Sequence, residues 1–131
     1  MRPSAPRPLR RSARQVCQHL VRRFFWGSKV ARTAWIHPTA SVDRTFPGGI
    51  EIGDSVWIGP FAMVLSHDMA RGVYRSTRIG ARTVIGARAV IMPGATIGDD
   101  CVIEPGAVVS SDVPNGSHAS GNPARVRKGT S

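Results

Sequence analysis

IGARTV IGARAV IMPGAT IGDDCV IEPGAV V, residues 79–109, reads as a line of six-residue blocks. Stepping by six from Ile79 lands on Ile85, Ile91, Ile97, Ile103 and Val109 without a miss. With roughly one residue in five being Ile, Val or Leu, six such hits arise by chance on the order of once in ten thousand. Four places after each of the first five stand Thr83, Ala89, Ala95, Cys101 and Ala107, a column of small residues. One place after stand Gly80, Gly86 and Gly98, with Met92 and Glu104 completing that column.

A period of six suits neither a helix nor an alternating strand, but it suits a prism in which each flat side uses one block. The aliphatic residue then points inward, the small residue faces in near a corner, and the glycine is expected to serve a turn with positive φ. Pro93-Gly94 and Pro105-Gly106 fall at one phase of the repeat, as turn dipeptides should. Three blocks close one circuit, and circuits stacked about 4.8 Å apart pair each side into a parallel sheet.

Working toward the N-terminus, Ile52, Ile58 and Val64 keep the step, with Gly53 and Gly59 after the first two. Ile36 and Val42 make a ragged start, and Pro47-Gly48-Gly49 breaks the phase. The expectation is an all-β solenoid of about four coils, a stack roughly 19 Å tall. An antiparallel sandwich would need hairpin turns at every sixth residue and leaves strands too short.

The formal charge is +10, yet nine of the eighteen Lys and Arg precede Ile36, where no Asp or Glu occurs. The remainder carries nine basic and eight acidic residues, so the repeats offer no uniformly basic face for nucleic acid. Cys17 and Cys101 form neither a zinc spacing nor a disulfide framework. No apolar run approaches the length of a membrane span or of a secretory signal. A cytoplasmic setting is the expectation.

Val64 and Ile79 are fifteen residues apart, which is not a multiple of six, so a loop over 65–78 must leave the coil. Excursions from a regular solenoid are where function resides, because the coil is occupied with packing. His67 stands at the exit, and an imidazole there can take a proton from an attacking alcohol. Asp68 follows it as a candidate to orient the ring. His19 lies in the basic leader, His37 at the ragged first circuit and His118 after the last repeat.

With these residues assembled, the chain resembles the hexapeptide-repeat acyltransferases with a left-handed parallel β-helix, the group containing galactoside, maltose, nodulation-factor and bacterial polysaccharide O-acetyltransferases. The resemblance rests on Ser66-His67-Asp68, the run from Ile79 to Val109, Asp112-Val113-Pro114 and Gly121-Asn122-Pro123-Ala124-Arg125-Val126. It implies a homotrimer with active sites between subunits, acetyl-CoA alongside the coils as acyl donor, no metal, and His67 as the general base. It also implies an acceptor hydroxyl on a saccharide or polysaccharide precursor, attacking the thioester directly in a ternary complex. By the same likeness Ala87 supplies a backbone N–H near the thioester or pantetheine arm, and Pro105 and Ser110 flank that arm. Ser111, Arg125 and Lys128 fall where the family meets the nucleotide end of CoA, which suits cationic groups. Ser111 stands where relatives often carry lysine, and Glu104-Pro105-Gly106 replaces a small-residue triplet. Pro105 has no N–H to donate.

The resulting division is a basic leader over 1–35, a β-helix acyltransferase domain over 36–128 and a tail over 129–131. Val16, Leu20, Val21, Phe24 and Phe25 recur at helical spacing within Arg14 to Trp26, predicting a short amphipathic helix after Ser12 as N-cap. Such a helix can cap the solenoid, touch an anionic inner membrane surface as a peripheral contact, or address the chain to an organelle. Rival readings are a serine O-acetyltransferase-like enzyme, a sugar N-acetyltransferase, a three-histidine zinc enzyme of the carbonic anhydrase type, and a non-catalytic scaffold. The first two usually carry an additional N-terminal domain, and His67 is alone on the excursion.

Overall fold

The computed structural model describes residues 28–129, and before them Ala13 and Cys17, both helical. Apart from those two residues, the expected amphipathic helix lies outside the described residues. The first coil comprises β1 (Lys29–Val30), β2 (Trp35–Ile36) and β3 (Ser41–Val42). A 3₁₀ turn at Pro47–Gly49 leads to the second coil, β4 (Ile50–Ile52), β5 (Trp57–Ile58) and β6 (Met63–Val64). A hairpin, β7 (His67–Asp68) and β8 (Val73–Tyr74), then leaves the stack. The third coil is β9 (Thr77–Ile79), β10 (Val84–Ile85) and β11 (Val90–Ile91), and the fourth β12 (Thr96–Ile97), β13 (Val102–Ile103) and β14 (Val108–Val109). β15 (Ser117–Ser120) and β16 (Arg125–Lys128) close the end.

Each side of the prism is a parallel sheet: β1-β4-β9-β12, β2-β5-β10-β13-β15 and β3-β6-β11-β14, with β16 folding back antiparallel on β15. Among the described residues the solenoid therefore starts at Lys29–Val30, one strand before Ile36. Register aligns the repeats, with Ile58, Ile85 and Ile103 stacked on one side and Val64, Ile91 and Val109 on the next. These side chains are all buried, as are Thr83, Ala89, Ala95, Cys101 and Ala107 at the corners. Each buried Ile or Val contributes roughly 1.5–3 kcal/mol. Burial pushes the Cys101 thiol up, as befits a packing residue.

The glycines do a different job from the one expected of them. Positive φ falls three places after each inward Ile: Ser55 (55°), Phe61 (56°), Arg82 (56°), Arg88 (59°), Gly94 (87°), Asp100 (55°) and Gly106 (75°). Gly80 and Gly86, one place after the Ile, lack a side chain because the next coil passes directly over them. A Cβ on Gly86 would lie 2.5 Å from the Pro105 nitrogen, and one on Gly80 would lie 2.5 Å from the Gly98 carbonyl carbon.

The three outer faces differ. Lys29, Glu51, Arg78 and Thr96 make the first polar and exposed. Trp35, Trp57, Val84 and Val102 make the second apolar and half-buried, with the two indoles stacked at 5.0 Å and 7°. Met63, Val90 and Val108 continue apolar surface onto the third.

Candidate active site

β6 runs in the ladder as far as Leu65, whose N–H donates to the Ile91 carbonyl at 3.0 Å. Ser66 then turns out of the coil, fully buried, its hydroxyl donating to the Phe46 carbonyl at 2.7 Å. The foot of the excursion is closed by the Arg75 N–H to the Ser66 carbonyl at 2.9 Å and by the Thr77 hydroxyl to the Leu65 carbonyl at 2.6 Å. Between them β7 and β8 pair antiparallel, His67 opposite Tyr74 and Asp68 opposite Val73.

The imidazole of His67 is held through Nδ1 by Oδ2 of Asp43, in a short contact. Oδ2 also accepts the N–H groups of Ser66 (2.8 Å) and His67 (3.0 Å), and Oδ1 accepts that of Thr45 (2.8 Å). Only 1% of the Asp43 side chain is exposed, against 20% for His67. Burial acts to raise the Asp43 carboxyl, but the Ser66 N–H, the His67 ring and the Thr45 N–H outweigh it and hold the group well below the usual carboxylate range. With Asp43 ionised, Nδ1–H is the donor in this contact, so in the neutral ring the lone pair lies on Nε2. Nε2 makes no hydrogen bond among the described residues.

Asp68 does not orient the ring. Its Oδ1 accepts the N–H groups of Ala70 (3.0 Å) and Arg71 (3.3 Å), so it shapes the hairpin turn, and successive residues of a strand point to opposite faces. Asp43 escaped notice because it lies 24 residues before His67, across one coil boundary. The signal was available in the repeat: Val42 stacks under Val64, which puts Asp43 beneath Leu65 at the exit.

The remaining candidates fall on all three corners. Ala87 and Pro105 stack on the corner between the second and third faces, where the Gly106 N–H donates to the Ala87 carbonyl at 2.9 Å. Arg125 pairs with Ser120 at the top of the same corner. The corresponding turn position there is Pro38, Pro60, Ala87 and Pro105 through the four coils, so Ala87 has its lone N–H. No described residue accepts it, whereas on the neighbouring corner the equivalent N–H of Ala81 is taken by Asp99 at 2.8 Å. Ser110 and Ser111 stand on the corner that carries His67, two coils further up. Ser110 lines a cleft of about 160 Å³ under the hairpin with Asp68, Arg71, Val73, Arg75, Met92 and Pro93. Lys128 pairs with Ser117 at the far end of β16, and lines a cleft with His118, Arg127 and Gly129.

One chain therefore places His67 and Ala87 at opposite edges of the third face. His37 bonds Thr39 (2.8 Å), and His118 lies 3.9 Å from Glu104. Among the described residues no three His, Cys, Asp or Glu side chains group as a metal site, and no helix is long and apolar enough to cross a membrane.

Residues 76–111 match the model of the bacterial transferase hexapeptide family (six repeats). The Bacillus subtilis (strain 168) protein YvoF, provisionally named an acetyltransferase, is 35% identical over 106 residues, covering 79% of this chain and 62% of its own. Galactoside O-acetyltransferase of Escherichia coli (strain K12) is 36% identical over 86 residues, covering 59% of this chain and 42% of its own. The chain thus spans less than two thirds of these curated relatives. The crystal structure of a maltose O-acetyltransferase from Clostridium difficile 630 superposes with a TM-score of 0.69 at 25% identity, covering 95% of this chain and 80% of that one.

Proposed function

We propose that the chain, whose residues 76–111 match the bacterial transferase hexapeptide family and whose coil superposes on a maltose O-acetyltransferase, is a left-handed β-helix acyltransferase of that family, an acetyl-CoA-dependent O-acetyltransferase acting on a saccharide hydroxyl. The observation that carries this reading is the imidazole anchored through Nδ1 on a buried, ionised Asp43, with Nε2 left to meet a substrate.

In this reading Nε2 takes the proton of the acceptor hydroxyl as its oxygen attacks the thioester carbonyl carbon. Asp43 stabilises the imidazolium that forms, its negative charge already held by three backbone N–H groups. The tetrahedral oxyanion collapses, the C–S bond breaks, and the departing thiolate recovers the proton from His67. The product is an acetyl ester and free CoA. The N–H of Ala87 is a preformed donor for the thioester or the pantetheine arm. Pro105 and Arg125 extend the same corner toward the nucleotide end of CoA, with Ser110, Ser111 and Lys128 as the further contacts implied by the family likeness.

His67 and the Ala87 corner lie at opposite edges of one face, so a complete site takes the His67 corner of one copy and the Ala87 corner of another. The apolar outer faces carrying Trp57, Val84 and Val102, and Met63, Val90 and Val108, favour such packing, and a homotrimer is the assembly that uses it. A cytoplasmic setting, with the basic leader touching an anionic surface, belongs to the same reading.

His67→Ala tests it. Thiol release from acetyl-CoA in the presence of a sugar panel should fall by about 10² to 10⁴, the range of a lost general base, with assembly and fold intact. Retained turnover refutes the assignment. Absence of thermal stabilisation by saturating acetyl-CoA would instead leave a scaffold.

A further inference from the structure

The hairpin carries an aromatic arrangement that the proton-transfer chemistry does not use. His67 and Tyr74 are directly opposed across β7 and β8, which sends both side chains to the same face of the ribbon. Their rings are 6.3 Å apart at the centroids and inclined by only 27°. Tyr74 is 59% exposed, so much of its ring surface is open to a ligand.

Tyr74 is also braced from behind. Phe46 meets it edge-on, centroids 5.9 Å apart and planes at 90°. Phe46 is itself fixed, since its carbonyl accepts the buried Ser66 hydroxyl and its ring lies where a Cβ on Gly49 would sit, 2.5 Å from Cε1. The same 3₁₀ turn and the same buried serine therefore set both the Asp43–His67 pair and the tyrosine beside it. Tyr74 thus has the Phe46 ring perpendicular to it and the His67 ring near-parallel to it.

We infer that Tyr74, buttressed by Phe46, is the platform on which a pyranose ring of the acceptor stacks, presenting one hydroxyl to Nε2 of His67. The inference rests on the proposed function and names the surface that selects its substrate. A pyranose offers a flat C–H face to an aromatic ring at about 4 Å and carries its hydroxyls at the rim. That matches an aromatic wall with a single convergent polar group, the usual composition of a small-molecule site. A small amino-acid acceptor has no such face to stack.

Saturation-transfer NMR of the wild-type protein with maltose and methyl β-galactoside, without acetyl-CoA, tests the platform independently of turnover. We expect saturation concentrated on the C–H protons of one ring face, retained in Tyr74→Phe and weakened at least tenfold in Tyr74→Ala. In steady state with an accepted sugar, Tyr74→Ala should raise the acceptor KM at least tenfold and leave the acetyl-CoA KM within twofold. Equal sugar binding by wild type and Tyr74→Ala, or no binding of either sugar to wild type, overturns the inference. Neither result touches the assignment of His67, which thiol release and its loss in His67→Ala report separately.

Discussion

Replacing Ala87 by proline separates folding from catalysis in one step. The same turn position is already proline at Pro60 and Pro105, each followed by a residue of positive φ, Phe61 and Gly106, just as Ala87 is followed by Arg88. Proline followed by a left-handed residue is a type II turn, so the ring fits the backbone that is there. No hydrogen bond within the protein is lost, because the bonds of this corner use the Arg88 N–H to the Pro60 carbonyl (2.9 Å) and the Ala87 carbonyl, and the Ala87 N–H has no described acceptor. Restricting the unfolded chain should therefore stabilise the fold by about 0.4–1 kcal/mol, raising Tm by about 2–6 °C. The catalytic effect runs the other way. If the N–H meets the thioester oxygen as charge develops, its removal costs about 2.7–4 kcal/mol and kcat falls by about 10² to 10³. If it holds only a pantetheine carbonyl, about 1 kcal/mol is lost and the acetyl-CoA KM rises roughly fivefold. Ala87→Gly, which keeps the N–H, is the control. The assay is thiol release across acetyl-CoA concentrations beside a thermal melt. A variant with raised Tm and unaltered kcat and KM would falsify the role given to this corner.

Asp43→Asn should lower kcat by about 100-fold while leaving the acetyl-CoA KM unchanged, because the imidazolium loses its charged partner. An amide cannot accept on both sides, so one of the N–H groups of Thr45, Ser66 or His67 is left facing an NH₂, at a cost of about 1–3 kcal/mol in urea denaturation. The Asp43 carboxyl is depressed in the fold, so its contribution is full above the unfolded pKa of about 4 and is lost as pH falls from there toward the folded value. The acid-side loss of stability should flatten in Asp43→Asn, and an unchanged slope would count against the carboxylate. Gly80→Ala should destabilise by about 2–3 kcal/mol, since its Cβ would lie 2.5 Å from the Gly98 carbonyl carbon and 2.7 Å from the Asp99 nitrogen, both backbone atoms. Gly48→Ala, with nothing within 4 Å, should stay within about 0.5 kcal/mol of wild type, and similar denaturation midpoints for the two would contradict the stacking argument.

The inward column was legible because burial imposes it at every step: Ile79, Ile85, Ile91, Ile97 and Ile103 have no alternative placement in a three-sided coil. The corner backbone was not, since most of its non-glycine left-handed positions are held by Ser55, Phe61, Arg82 and Arg88, residue types that do not announce positive φ. Glycine drew attention to the wrong position, one where the constraint is the coil above. His67 was legible from the break in phase. Its partner was not, because Asp43 precedes a four-residue lengthening of the coil: Val42 pairs with Val64, 22 residues on, whereas Ile85 pairs with Ile103 at 18. Adjacency in sequence favoured Asp68, but adjacency along a strand separates side chains instead of joining them.

β6 and β9 are each gripped by strands above and below, not by one another, while the base of the excursion is sealed by Ser66, Arg75 and Thr77. The ribbon tip can therefore lengthen, shorten or be transplanted without shifting any rung of the ladder. Asp43 and the His67–Tyr74 pair stay with the permanent architecture, and the tip beyond Asp68 and Val73 is interchangeable. Descendants of such a scaffold can change what they modify while keeping the machinery that modifies it.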